Sequence, residues 1–194
     1  MTVIKNGVIH DVVHKEPYVA DIQFENGKIT AIGKDLQDDD VVDAAGLHVY
    51  PGFVDAHSHL GLAGYGIGFE GTDYNEIGDI CTPQMRAIDS FNPLDPSVKM
   101  AAMAGVTCVA TGQGSANAIG GTWIAVKTHG ICVDDMLVKD PVAMKGALGE
   151  NPKRCYQDKG NSARMSTAAV IRNMMNQTKD YMARKKAADG DPLK

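Results

Sequence analysis

The chain has 194 residues, 44% of them apolar, which suits one domain of ordinary size or a domain with a small module and excludes global disorder. Its formal charge of −5, with both signs spread along the chain, argues against a nucleic-acid partner. No run reaches the roughly 18 apolar residues of a membrane span, and the start breaks at Asn6-Gly7 before any secretory-type apolar core, so the expectation is a cytoplasmic protein with no membrane partner.

Residues 1–50 read as a small all-β module. Val3-Ile4-Lys5 and Val8-Ile9-His10 flank Asn6-Gly7, while Asp21-Ile22-Gln23-Phe24 and Lys28-Ile29-Thr30-Ala31-Ile32 flank Asn26-Gly27. Both Asn-Gly pairs predict hairpin turns, because both turn residues must tolerate positive φ. Val41-Val42-Asp43 and Leu47-His48-Val49-Tyr50 predict two more short strands. Such a module is too short to bury a large core alone.

At Pro51-Gly52 the character changes. Phe53-Val54-Asp55-Ala56 predicts a strand buried on both faces, as in parallel sheets. It runs into His57-Ser58-His59, whose alternation places both imidazoles on one side of the strand, where they can converge on one metal ion. The bland reading is two ordinary polar histidines near a strand end.

Gly61, Gly64, Gly66 and Gly68 then mark a loop without the strand–turn–helix context of a nucleotide site. Residues 70–96, rich in Asp, Glu and Pro, predict a solvated surface segment. Pro96–Ala104 predicts a helix capped by Asp95 or Ser97 and stopped by Gly105, followed by a buried strand at 106–111. A second glycine-rich loop carries Gln113, Ser115 and Asn117, candidates for substrate contact whose bland reading is loop polarity, and continues to Gly120-Gly121. Strands are expected at 123–128 and 142–148, with a short one at 136–138 and a stop at Gly149–Pro152. Ile171, Met174, Met175, Thr178, Tyr181 and Met182 fall at helical spacing, which predicts a terminal helix over 167–185 with one buried stripe and a polar tail beyond. Four cysteines, at 81, 108, 132 and 155, lack zinc-finger spacing.

The run from Tyr50 to Gly61, containing Pro51-Gly52-Phe53-Val54-Asp55-Ala56-His57-Ser58-His59, resembles the signature of the metal-dependent amidohydrolase superfamily. The preceding β module and the Met144–Arg154 segment are similar to the imidazolonepropionase-like branch. The resemblance implies an α/β fold, a partial (β/α)8 TIM barrel of amidohydrolase type over 51–194 behind a β-sandwich module over 1–50. It implies hydrolysis of a non-peptide C–N bond, with metal-activated water attacking the carbonyl of a small-molecule amide or lactam.

The implied cofactor is one or two divalent ions, zinc first, held by His57 and His59 together with Lys145 (as a carbamate) or Glu150. The bland reading of Lys145 is a surface lysine. No general base is assigned: in the family it comes from a later barrel strand, so the chain reads as the amino-terminal part of a barrel, expected to associate as a homo-oligomer through open strand edges. Two rivals stay open: an inactive amidohydrolase fold working through binding or assembly, and an unrelated α/β binding protein with a chance His-x-His.

Overall fold

The computed structural model describes residues 1–188, which separate into two compact units, Met1–Gly52 and one that begins at Phe53. The polar tail expected beyond the last helix lies, from Asp189 onward, outside the described residues. Among the described residues no helix is long and apolar enough to cross a membrane.

The first unit is one five-stranded mixed sheet. It contains β1 (Thr2–Ile9), β2 (Tyr18–Glu25), β3 (Lys28–Gly33), β4 (Asp40–Asp43) and β5 (His48–Val49). The order is β3-β2-β1-β4, with β5 also paired to β1. β2 and β3 form the expected hairpin, with Asn26 at φ 51° and Gly27 at φ 73°. Asn6-Gly7 is not a turn: β1 runs straight through it, and the pair makes a bulge against β2, with Asn6 at φ 61°. Tertiary contacts decide the difference. The Asn6 N–H donates to the buried carboxylate of Asp21 at 2.8 Å. A Cβ on Gly7 would lie 2.7 Å from Val49 Cγ2. Ile9, Ala20 and Ile22 form the small core, with Ile4, Tyr18 and Val49 packed against it.

The second unit carries a four-stranded sheet in the order β6-β7-β8-β9, where β6 is Phe53–Ser58, β7 Val106–Thr111, β8 Ile119–Lys127 and β9 Leu137–Gly146. β6 and β7 are parallel, joined by a long crossover that includes helix α1 (Pro96–Met103). Asp95 is the helix cap, accepting from the Ser97 N–H at 2.8 Å, and Gly105 at φ 87° follows the helix end. Burial pushes the Asp95 carboxyl up, but bonds from Ser97 and the Tyr65 N–H outweigh it and hold its pKa below the ordinary value.

From β7 onward the sheet is antiparallel. The links 112–118 and 128–136 are shorter than the dozen or so residues that a parallel crossover needs. Gly120-Gly121, expected in a loop, lies inside β8. The two strands expected near 136–138 and 142–148 are one, β9, entered from the short helix α2 (Val133–Met136). Pro141 is accommodated because β9 is an edge strand. The strand run stops before Gly149 as expected, and an unexpected short helix, α3 (Glu150–Cys155), starts there, with α4 (Arg164–Ala187) following.

Burial departs from expectation in three places. β6 is an edge strand and is not buried on both faces; Phe53 is 54% and Val54 69% exposed. The acidic segment 70–96 is not wholly solvated: Ala87 and Phe91 enter the main core with Val98, Val109, Ile124, Val126 and Met136. The α4 stripe is buried only near its start, where Val170, Ile171 and Met174 pack on Cys81, Ala118 and Ile119. Met175, Tyr181 and Met182 are exposed because no element packs over them among the described residues.

Candidate metal centre

β6 delivers His57 near its carboxyl end, and His59 follows just beyond Ser58. The rings sit together, centroids 6.0 Å apart, as strand alternation requires. Both lie edge-on to the indole of Trp123 on β8, with centroids 4.7 Å away for His57 and 5.9 Å for His59. Tyr74 stacks on His59, with ring centroids 5.4 Å apart.

His59 Nδ1 lies 2.7 Å from the carbonyl oxygen of Gly112. A carbonyl can only accept, so Nδ1 carries a proton, and of the two neutral tautomers this one leaves the lone pair on Nε2. This is the outer-shell arrangement that fixes a ligating histidine. Glycine at 112 is required by the indole: a Cβ there would clash with the ring, 2.5 Å from Trp123 Nε1 and nearer still to two ring carbons.

Lys145 comes from β9. Its Nζ stands over the Trp123 ring at 5.3 Å, and its stem passes the face of Gly120, where a Cβ would be 3.2 Å from Lys145 Cβ. His57, Trp123 and Lys145 line one cavity of about 270 Å³. Desolvation there pushes the Lys145 ammonium below its ordinary pKa.

Glu150 is placed differently. It is exposed at the start of α3, and its oxygens accept from Arg164 at 2.7 Å and Lys153 at 3.3 Å. It is not among the residues lining the cavity of His57 and Lys145.

The three polar loop residues also part company. Gln113 is buried, lines a separate cavity, and its Oε1 has no hydrogen-bond partner. Asn117 is 1% exposed, and its Nδ2 reaches the carbonyls of Glu76 and Asp79 and the hydroxyl of Tyr156, all within 2.9 Å. Ser115 is half-buried beside them. Trp123, Tyr74 and the Gly112 carbonyl were not singled out from sequence; each lies far along the chain from the histidine it touches, and only the uniqueness of the tryptophan hints at a role.

Two imidazoles and an amine are a partial donor set for a divalent ion, and the free Nε2 of His59 fits one. Among the described residues, no group of three or more His, Cys, Asp or Glu side chains is placed to hold a metal ion.

No family model matches the chain. It is 34% identical over 158 residues to the amidohydrolase tasK of Hapsidospora irregularis, covering 72% of this chain and 16% of that protein. A stretch of 63 residues is 51% identical to an allantoinase of Escherichia coli O1:K1 / APEC, covering 32% of this chain and 14% of the enzyme. The crystal structure of an amidohydrolase from Thermotoga maritima MSB8 superposes with a TM-score of 0.91 at 41% identity, covering 97% of this chain and 50% of that one. The chain thus spans half of the Thermotoga protein and under a fifth of the two curated relatives. Relatives in sequence and a neighbour in structure together support the amidohydrolase superfamily for this chain.

Proposed function

We propose that the chain contributes part of a metal-dependent hydrolase of non-peptide C–N bonds, acting on an amide or lactam. The carrying observation is the pair of imidazoles at the carboxyl end of β6, with Lys145 in the same cavity wall as His57. Active sites of (β/α)8 barrels sit at that end of the strands. The likeness to the Thermotoga amidohydrolase supports an amidohydrolase-type α/β fold; of the expected partial barrel and sandwich, only β6 and β7 pair in parallel as barrel strands do, β7, β8 and β9 being antiparallel, and the first unit is a single sheet.

His57 and His59 would hold the ion, with Lys145 as the further ligand in its carbamate form. Forming that carbamate joins the neutral amine to carbon dioxide and releases one proton. When bound, a divalent ion, zinc first, lowers the pKa of water to about 7 and polarises the scissile carbonyl. The chain's own groups prepare that site. The Gly112 carbonyl and the Tyr74 ring orient His59, and Trp123 packs against the exposed His57. Glu150, held by Arg164 and Lys153, serves α3 and α4 in this reading. No general base is assigned, and the residues that complete the site come from elsewhere in a full barrel or an assembly.

Association belongs to the same reading, since the edge strands expose Phe53, Val54, Val138 and Met144. Four unpaired cysteines suit a cytoplasmic location. The imidazolonepropionase-like branch rests on the β module and the Met144–Arg154 segment.

The test is zinc loading and elemental analysis of the protein and of the His57→Ala/His59→Ala variant, with hydrolysis of an amide and lactam panel. Bound metal in the first and loss in the second is expected, with little turnover by this chain alone. A protein that takes up no divalent metal would overturn the proposal. Metal binding without turnover in the full-length protein would favour the rival role in binding or assembly.

A further inference from the structure

The outer half of α4 is exposed on every side. From Met175 to Ala187 no residue is buried or half-buried, a run of 13 residues and about 20 Å. A helix of that length is marginal in water unless one face is packed. Its apolar stripe nevertheless continues outward. Met175, Tyr181 and Met182 stand in line with Ile171 and Met174, which reach the core at Cys81, Ala118 and Ile119. The charges are ordered as well. Arg172, Lys179 and Lys186 recur every seven residues, so they line one flank of the stripe, one turn from Met175 and Met182. Between Arg172 and Ala187 there are five cationic side chains and one acid, Asp180.

The same unit exposes a second surface of opposite charge. Segment 65–79 presents Tyr65, Ile67, Phe69 and Ile77, each at least 58% exposed. Its charged side chains are Glu70, Asp73, Glu76 and Asp79, all exposed, and it contains no base. Glu76 accepts from the Gly78 N–H and Asp79 from the Cys81 N–H at 3.1 Å, so these two serve the loop itself. Lys159 reaches the segment only at backbone, donating to the Ile77 and Gly78 carbonyls. Glu70 and Asp73 have no such engagement among the described residues. The two surfaces start from one place in the fold: Ile80, just past the segment, packs in the same cluster as Val170 and Ile171 of α4.

We propose that these surfaces are the two halves of one interface between copies of this chain, α4 of each copy lying on segment 65–79 of the other. Met175, Tyr181 and Met182 meet Ile67, Phe69 and Ile77, and the row of Arg172, Lys179 and Lys186 meets Glu70 and Asp73. Each copy carries both patches side by side, so a twofold arrangement uses each patch twice and closes. Two α4 helices laid against each other would instead bring cation to cation. An anionic membrane or an unrelated acidic protein would cover the helix and leave the apolar side chains of segment 65–79 in water. The interface is separate from the strand edges and does not rest on the hydrolase reading.

The experiment is sedimentation equilibrium of the chain, with charge reversal on each patch. The wild type is expected to self-associate at roughly 100 μM, with affinity falling as salt rises. Lys179→Glu/Lys186→Glu and Glu70→Lys/Asp73→Lys should each weaken that association at least about tenfold, while far-UV circular dichroism shows both variants folded. An equimolar mixture of the two variants should restore it, because in the mixed pair both contacts again join opposite charges. A wild type that stays monomeric would overturn the proposal, and binding of that monomer to phosphatidylserine vesicles would assign the helix to a membrane surface instead. Association unchanged in both variants would place the contact at the strand edges and overturn it as well. So would loss of association in both variants without rescue in the mixture.

Discussion

Substituting Gly112 by alanine should disturb the candidate centre through a single methyl group. The added Cβ would lie 2.5 Å from Trp123 Nε1 and closer still to Cδ1 and Cγ, well inside van der Waals contact. Trp123 is 4% exposed, so the indole has little freedom to withdraw. Overpacking a well-filled site costs about 1–3 kcal/mol, and a rigid aromatic neighbour places this case near 3 kcal/mol. Trp123 is the single tryptophan of the chain, so its emission reports the indole directly. Urea unfolding followed at that emission should show a lowered midpoint, and the folded spectrum should shift. The Gly112 carbonyl that orients His59 moves too, so zinc affinity should fall about 10- to 100-fold. A variant within about 0.5 kcal/mol of wild type, with unchanged emission and zinc affinity, would refute the packing account.

Tyr156→Phe removes a hydroxyl that donates toward the Glu76 and Asp79 carbonyls while accepting from Asn117; those carbonyls keep Asn117 Nδ2, so urea unfolding should show a loss of about 1–2 kcal/mol. Asn117→Ala should cost more, about 2–4 kcal/mol, with the pair coupled by about 1 kcal/mol in a double-mutant cycle. Burial pushes the Tyr156 phenol up to about 12 from an ordinary 10.0, so the folded chain keeps a proton that the unfolded chain loses. Stability should therefore fall as pH rises from about 10 toward about 12, and urea midpoints in Tyr156→Phe should lack that component. Gly7→Ala should lower the stability of the first unit by about 1–3 kcal/mol, because its Cβ would meet Val49 Cγ2 at 2.7 Å; hydrogen exchange in β1 and β5 would show it.

Local rules carried far where the determinants were local. Asn26-Gly27 makes its hairpin, and His57 and His59 share a side, because two-residue turns and strand alternation depend on neighbouring residues alone. The same Asn-Gly signal failed at Asn6-Gly7, where a carboxylate 15 residues away captures the Asn6 N–H and a close methyl favours glycine. Apolar composition predicted burial for Phe53–Ala56 and the outer half of α4, but burial depends on what packs above, which periodicity cannot supply. The groups that prepare the centre were invisible for the same reason: Gly112 lies 53 residues from His59, and only the folded sheet makes them neighbours.

The Tyr156 knot has a consequence for the order of events in the cell. Its hydroxyl reaches back 80 residues to the Glu76 carbonyl and 77 to that of Asp79. During vectorial synthesis the loop around Glu76 leaves the ribosome long before Tyr156 does. Until then its carbonyls have only Asn117 and water, while Gly114 and Ala116 already hold Tyr74 and Asn75. A nascent chain paused before Tyr156 should carry the histidine pair with residues 76–79 less firmly held, so ribosome-arrested lengths on either side of this residue should differ in protease resistance around residues 76–79.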